Sequence, residues 1–267
     1  MTTTSDKPTQ PNHIIPPRLT CYRFNLSVLL LYVPSGVILL IYLMFNPIFP
    51  KVGAWLHYIG PRWTARNLIR LCGGKIRTFN LDRLHTLQDY PLVIFCNHNS
   101  RFDAYILLAT MPFSFKSFWS TSAHVTTERW NEIRFAGNML DLYFLHDKSN
   151  VRKTVQEFRK ATDFVVNGGT LSFFPEGAFT PDEVVGPFGP AYAKLTIESG
   201  ATLLPVIISG AEQLFESVAE GKNKVCELHV CEPMSLNAYT RKDAQRLSEE
   251  IRTLITQKYL SISRDAP

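Results

Sequence analysis

A chain of 267 residues, 45% hydrophobic and 19% charged, has enough apolar side chains for one large α/β core plus an appendage, which excludes a wholly disordered protein. The 28 Lys and Arg exceed the 23 Asp and Glu by a net +5, a mild surplus that favours an anionic membrane surface or anionic ligands. No basic stripe with stacking aromatics accompanies it, so a nucleic-acid partner is not expected. The 5 cysteines (Cys21, Cys72, Cys96, Cys226 and Cys231) are odd in number and lack C-x-x-C spacing, so they read as reduced thiols in a reducing compartment, with no metal site.

Residues 1–20 are rich in Thr, Pro and Asn and read as a disordered tail. No charge falls between Arg23 and Lys51, and residues 26–45 are long enough to cross a hydrocarbon core of roughly 30 Å. Pro34-Ser35-Gly36 interrupts that run where a helix would kink or turn back. A second stretch, 52–71, mixes Trp55, Tyr58 and Trp63 with Arg62, Arg66 and Arg70, as at a headgroup interface. Residues 21–72 therefore read as membrane-anchoring helices, spanning the bilayer or inserted in one leaflet. The expected location is a membrane, with the domain that follows on its cytoplasmic side.

Cys72-Gly73-Gly74 stops the second helix, and residues 73–267 form the α/β domain. Strands are predicted at 75–79, 92–96, 113–120, 138–145, 170–174, 203–208 and 224–232. Helices are predicted from Asp103, over 151–165, over 191–198 and over 241–259, where Leu247, Ile251, Leu254 and Ile255 share a face. Strands alternating with helices imply a mixed, mostly parallel central sheet flanked by helices.

Two stretches carry chemistry. In VIFCNHNSRFDAY (93–105), an apolar strand breaks at Asn97-His98-Asn99-Ser100 and a helix opens at Asp103. His98 and Asp103 can then turn toward one another. A carboxylate bonded to one imidazole nitrogen fixes the tautomer, leaving the other nitrogen to act as a general base. Alone, this spacing reads equally well as a polar turn capping a helix. The second stretch, LSFFPEGAFT (171–180), also runs from a buried strand into a sharp break, Pro175-Glu176-Gly177. Both breaks are carboxyl ends of strands, where open α/β sheets bind ligands. Glu176 has acceptors for a polyol hydroxyl, and Gly177 lets backbone N–H groups approach an oxyanion.

The first stretch, the Phe174-Pro175-Glu176-Gly177 run and the later Leu204-Pro205-Val206, in this order, resemble the glycerolipid acyltransferase family over about 75–232. The resemblance implies that His98 is the general base and Asp103 its orienting partner, with Asn97, Arg101, Pro175, Glu176 and Gly177 around the substrate. It implies acyl transfer from acyl-CoA or acyl carrier protein, as co-substrate and without a further cofactor, to a lysophospholipid or glycerol phosphate acceptor in phospholipid biosynthesis. The membrane bilayer would be a partner.

The chain also departs from the family pattern. Many phosphate-accepting members carry Arg where this chain has His146-Asp147, and a second Arg where Ala178-Phe179 follow Glu176-Gly177. A third basic position, usually Lys, falls in Ser120-Thr121-Ser122-Ala123-His124. Three readings stay open: an acceptor without a phosphomonoester, as in lipid remodelling; substitute cations, Arg101 foremost, then Lys116, Arg134 and Lys194; or a catalytically weak lipid-binding homologue. Cys96 reads as a buried hydrophobe rather than a nucleophile. No G-x-S-x-G elbow or phosphate loop is present. His57, His85 and His229 show no paired carboxylate and read as surface or structural residues.

Overall fold

The computed structural model describes residues 36–37, 40–41, 44–45, 47–87, 91–100, 102–120, 142–145, 151–177, 185–214 and 224–265. Helix α1 (Pro50–Leu71) begins with Pro at its first turn, where a missing N–H costs nothing. Strand β1 (Gly74–Phe79) and a 3-10 segment (Leu81–Leu87) follow, then β2 (Leu92–Cys96) and α2 (Asp103–Thr110). Next come β3 (Lys116–Ser120), β4 (Leu142–Leu145), α3 (Val151–Val166) and β5 (Thr170–Phe173). The chain continues through α4 (Pro190–Ser199), β6 (Thr202–Ser209), β7 (Lys224–Val230), a short 3-10 turn (Arg241–Asp243) and α5 (Ala244–Asp265).

The strands form one sheet in the order β1-β7-β6-β2-β5-β3-β4. All pairings are parallel except β6 with β7, so β1 and β7 run against the other strands. The expected mixed, mostly parallel sheet is thus observed. β2 lies between β6 and β5, its five residues all buried. Alternation sends Leu92, Ile94 and Cys96 into one core layer with α1 and α2. Val93 and Phe95 enter the other, with α3, α4 and α5. A strand covered on both faces must be apolar throughout, which is why LVIFC reads as an unbroken run.

The paired Phe95 and Phe173 bring the ends of β2 and β5 to one edge of the sheet. The chain leaves both strands there, and the two polar breaks face each other.

Most of the uncharged run before Pro50 lies outside the described residues. Among the described residues, no helix is long and apolar enough to cross a membrane. The expectation for 52–71 is corrected in part. Tyr58, Arg62 and Arg66 do not face outward together. The Tyr58 hydroxyl donates to Pro112 O at 2.7 Å, Arg62 lies over the Tyr58 ring at 4.5 Å and is buried, and Arg66 Nε donates to Ala109 O at 2.9 Å. These side chains clasp α1 onto the end of α2. Trp55 (57% exposed) and Trp63 (41% exposed) do face solvent, together with Val37, Leu40, Met44, Ile48 and Phe49.

Candidate active site

The site begins where β2 stops. Asn97 is fully buried, and its side-chain amide mimics a strand residue: Oδ1 accepts from Ile208 N–H at 2.9 Å and Nδ2 donates to Ile208 O at 2.8 Å. Nδ2 also donates to Asn99 Oδ1 at 2.9 Å. The amide thereby continues the β2–β6 ladder by one more rung. The Ser100 hydroxyl donates to Ala211 O at 3.0 Å and accepts from Phe102 N–H at 3.2 Å. The turn is riveted to the segment after β6, where Gly210 sits at φ +76°.

His98 is the half-buried member of this turn. Its Nδ1 lies 3.0 Å from Asp103 Oδ2. The same oxygen accepts from Ser100 N–H at 2.7 Å. With Nδ1 pointed at a carboxylate, the proton of the neutral ring belongs on Nδ1 and the basic nitrogen is Nε2. The His98 ring stacks on Phe174, with centroids 4.3 Å apart and planes 27° apart. Asp103 is wholly buried in the first turn of α2. Burial pushes its carboxyl above the usual 3.8, while His98 and the backbone N–H groups of Ser100 and Asn99 pull the other way. Its Oδ1 is buried without a hydrogen-bond partner.

The second break meets the first through one carboxylate. Glu176 Oε1 accepts from the backbone N–H of His98 at 2.8 Å, and Oε2 accepts from Gly186 N–H at 2.8 Å. Pro175 is buried and its carbonyl accepts from Gly189 N–H at 2.9 Å. Gly177 takes φ +69°, closing the turn with its N–H on Phe174 O at 3.0 Å. A left-handed residue here favours glycine.

The structure brings together His98, Asp103, Asn97, Pro175, Glu176 and Gly177. It gives Asn97 work different from that expected. Asn97, expected at the substrate, has no exposed atom with which to touch one; it sets the height of the turn instead. Both Glu176 oxygens hold backbone N–H groups, so this side chain braces the site. Arg101 lies outside the described residues, as do 121–124, Arg134, 146–147 and 178–179. Of the other substitute cations, Lys116 places its ammonium over the Phe164 ring at 4.7 Å, and Lys194 is half-buried on α4.

Reading the sequence missed the stacking of Phe174 and the part played by Gly186. The signal for the first was a ring directly before Pro175, at the end of a strand adjacent to β2. His229, read as lacking a carboxylate, pairs through Nε2 with Glu227 Oε2 at 3.1 Å and stacks on Phe79 at 4.2 Å. Residues two apart on a strand share a face, and β7 is separated from β2 by β6, with His229 paired to Ile207. Cys96 is fully buried; burial first, then Asp103 and Glu176, push its thiol far above the usual range, as expected of an inert cysteine.

The comparisons with known proteins agree with this architecture. A chloroplastic 1-acyl-sn-glycerol-3-phosphate acyltransferase of Brassica napus is 26% identical over 165 residues, covering 62% of this chain and 45% of that protein. A second, from Arabidopsis thaliana, is 26% identical over 179 residues, 67% of this chain and 47% of that protein. The chain thus spans about half the length of the curated relatives it matches. The crystal structure of the 1-acyl-sn-glycerophosphate acyltransferase PlsC from Thermotoga maritima superposes with a TM-score of 0.73 at 15% identity, covering 93% of this chain and 96% of that one, which establishes a shared fold. The family model described as Acyltransferase matches residues 75–209, from β1 through the end of β6. With both polar breaks and half of its length inside that match, this chain belongs to the acyltransferase family.

Proposed function

We propose that the protein is a membrane-associated O-acyltransferase. It moves a fatty acyl group from acyl-CoA or acyl carrier protein to the hydroxyl of a lysophospholipid or glycerol phosphate. The observation that carries this reading is the 3.0 Å contact between His98 Nδ1 and the buried Asp103 carboxylate, beside the Pro175-Glu176-Gly177 turn. The names of the relatives add 1-acylglycerol-3-phosphate as the first acceptor to test.

In this reading His98 Nε2 takes the proton of the acceptor hydroxyl as its oxygen bonds to the thioester carbonyl carbon. The carbonyl oxygen becomes an anion, whose charge hydrogen-bond donors in the site would stabilise. Collapse breaks the C–S bond. The imidazolium returns its proton to the departing thiolate, giving ester and free thiol. Asp103 stabilises the imidazolium between the two proton transfers. Solvent-facing Trp55 and Trp63, with the apolar residues before them, would lie in the headgroup region on the cytoplasmic side, where the acyl donor is found.

A second reading is favoured by Ala178-Phe179 and His146-Asp147, which stand where phosphate-binding arginines would be. Loss of bidentate Arg–phosphate contacts suits an acceptor without a phosphomonoester. One experiment separates the two readings: purified protein in lipid vesicles, given labelled acyl-CoA or acyl carrier protein and a panel of acceptors, with products read by lipid mass spectrometry. Transfer to lysophosphatidate supports the first reading and transfer only to phosphodiester lysolipids the second. No transfer to any acceptor overturns both.

A further inference from the structure

The His98 turn is held from a distance by the C-terminal helix. Val185 and Gly186 lie beyond the second break, in a segment reading Val185-Gly186-Pro187-Phe188-Gly189. Arg252 on α5 grips that segment: its Nε donates to Gly186 O at 2.9 Å and its Nη2 reaches Val185 O at 3.4 Å. The Val185 carbonyl and the Gly186 N–H belong to one peptide unit. At the N–H end of that unit sits Glu176 Oε2, 2.8 Å away. The other oxygen of the same carboxylate holds His98 N–H at 2.8 Å. A guanidinium, one peptide group, a carboxylate and the backbone of His98 are thus joined end to end. The charges sit at the right poles of the peptide dipole, so each bond strengthens the next. Ser248, fully buried one turn earlier on α5, adds a 3.5 Å contact to Gly189 O.

We propose that Arg252 is a positioning residue for His98, acting through the Val185–Gly186 peptide and Glu176. This rests on the reading of His98 as general base. Arg252 lies beyond the family match, which ends at residue 209. Its planar fork suits the grip on two successive carbonyls, which a lysine ammonium cannot reproduce. The function of Glu176 follows from the same chain: it passes the position of α5 to the catalytic turn.

The test uses the full chain with Arg252→Ala, Arg252→Lys and, as control on the same helix, Arg246→Ala. The guanidinium of Arg246 pairs with Asp243 and lies over Tyr239, away from the segment. The first readout is amide hydrogen exchange. Arg252→Ala should speed exchange at both Gly186 and His98 by about 2- to 30-fold, with Leu228 in β7 unchanged, and Arg252→Lys should fall between. Arg246→Ala should leave all three amides as they are. Faster exchange at Gly186 alone, or an equal acceleration at Leu228, overturns the proposal.

The second readout is kinetic. Arg252→Ala should lower kcat by a similar factor with the acceptor KM unchanged. Combined with Glu176→Gln it should lower kcat no further than Glu176→Gln alone; additive losses overturn the proposal. Should Arg252→Ala not fold, Arg252→Lys carries both readouts. Absence of acyl transfer in the unmodified protein would sink the general-base reading, and the exchange data would still decide the linkage.

Discussion

Phe174 lies flat against the imidazole of His98, centroids 4.3 Å apart and planes at 27°. Phe174 follows β5 directly and His98 lies in the break after β2, so the stack locks one turn to the other. It also fixes the ring about its own axis, which a single bond from Nδ1 to Asp103 leaves loose. Phe174→Ala should therefore lower kcat by about tenfold with little change in KM, because the base is mispositioned while the substrate is still held. Phe174→Tyr, which keeps the ring, should retain most of the activity. Steady-state kinetics on both variants checks this.

Asp103 predicts opposite effects on stability and activity. Its carboxyl holds its proton more tightly in the folded chain than in the unfolded one. Native structure therefore loses stability as pH rises from about 4 through the raised native value, and the penalty is constant above it. Asp103→Asn removes that ionisation. The stability of the variant relative to the parent should climb over this pH window and then level off, as read by urea unfolding at a series of pH values. Acyl transfer should meanwhile drop by about two to four orders of magnitude, because the imidazolium loses its partner.

Asn97→Leu should destabilise the fold by about 2–5 kcal/mol, since it strands the N–H and C=O of Ile208 in the core. The urea midpoint measures it. A loss of activity without a loss of stability would return Asn97 to the substrate-contacting function expected from the motif.

Two glycines in the left-handed region should respond differently to alanine. At Gly210 (φ +76°) an added Cβ meets Val225 O at 2.8 Å, whereas at Gly177 (φ +69°) the nearest atom is the Tyr192 hydroxyl at 3.7 Å. Gly177→Ala should cost only the backbone strain, about 1–2 kcal/mol. Gly210→Ala must also displace β7 and should cost more. Unfolding curves of the two variants give the comparison.

Thiol labelling should follow burial. Burial pushes Cys72 and Cys226 up to about 12 and Cys96 well beyond its usual range, while Cys231 is half-exposed, with Lys258 and Arg83 opposing the rise. At pH 8 a disulfide reagent should modify Cys231 first of these four, and the others only on the timescale of unfolding.

The sequence alone determined where the main strands and helices lie and where the two polar breaks fall. LVIFC reads as a buried strand, because no polar side chain interrupts it and turn formers follow. The turn formers at 97–100 and 175–177 marked where strands end, and the local spacing of His98 and Asp103 allowed their contact. These are short-range facts, written in neighbouring residues. The tertiary structure decided which strands lie side by side, and hence that Glu176 reaches His98 N–H across 78 positions of chain. It decided that Asn97 and Glu176 brace the site, that Arg62 is buried against Tyr58 while Trp55 and Trp63 face solvent, and that Arg252 grips Val185 and Gly186. A polar side chain carries donors and acceptors whatever its neighbours are; only the packing of distant segments determines whether a ligand or the chain's own backbone occupies them.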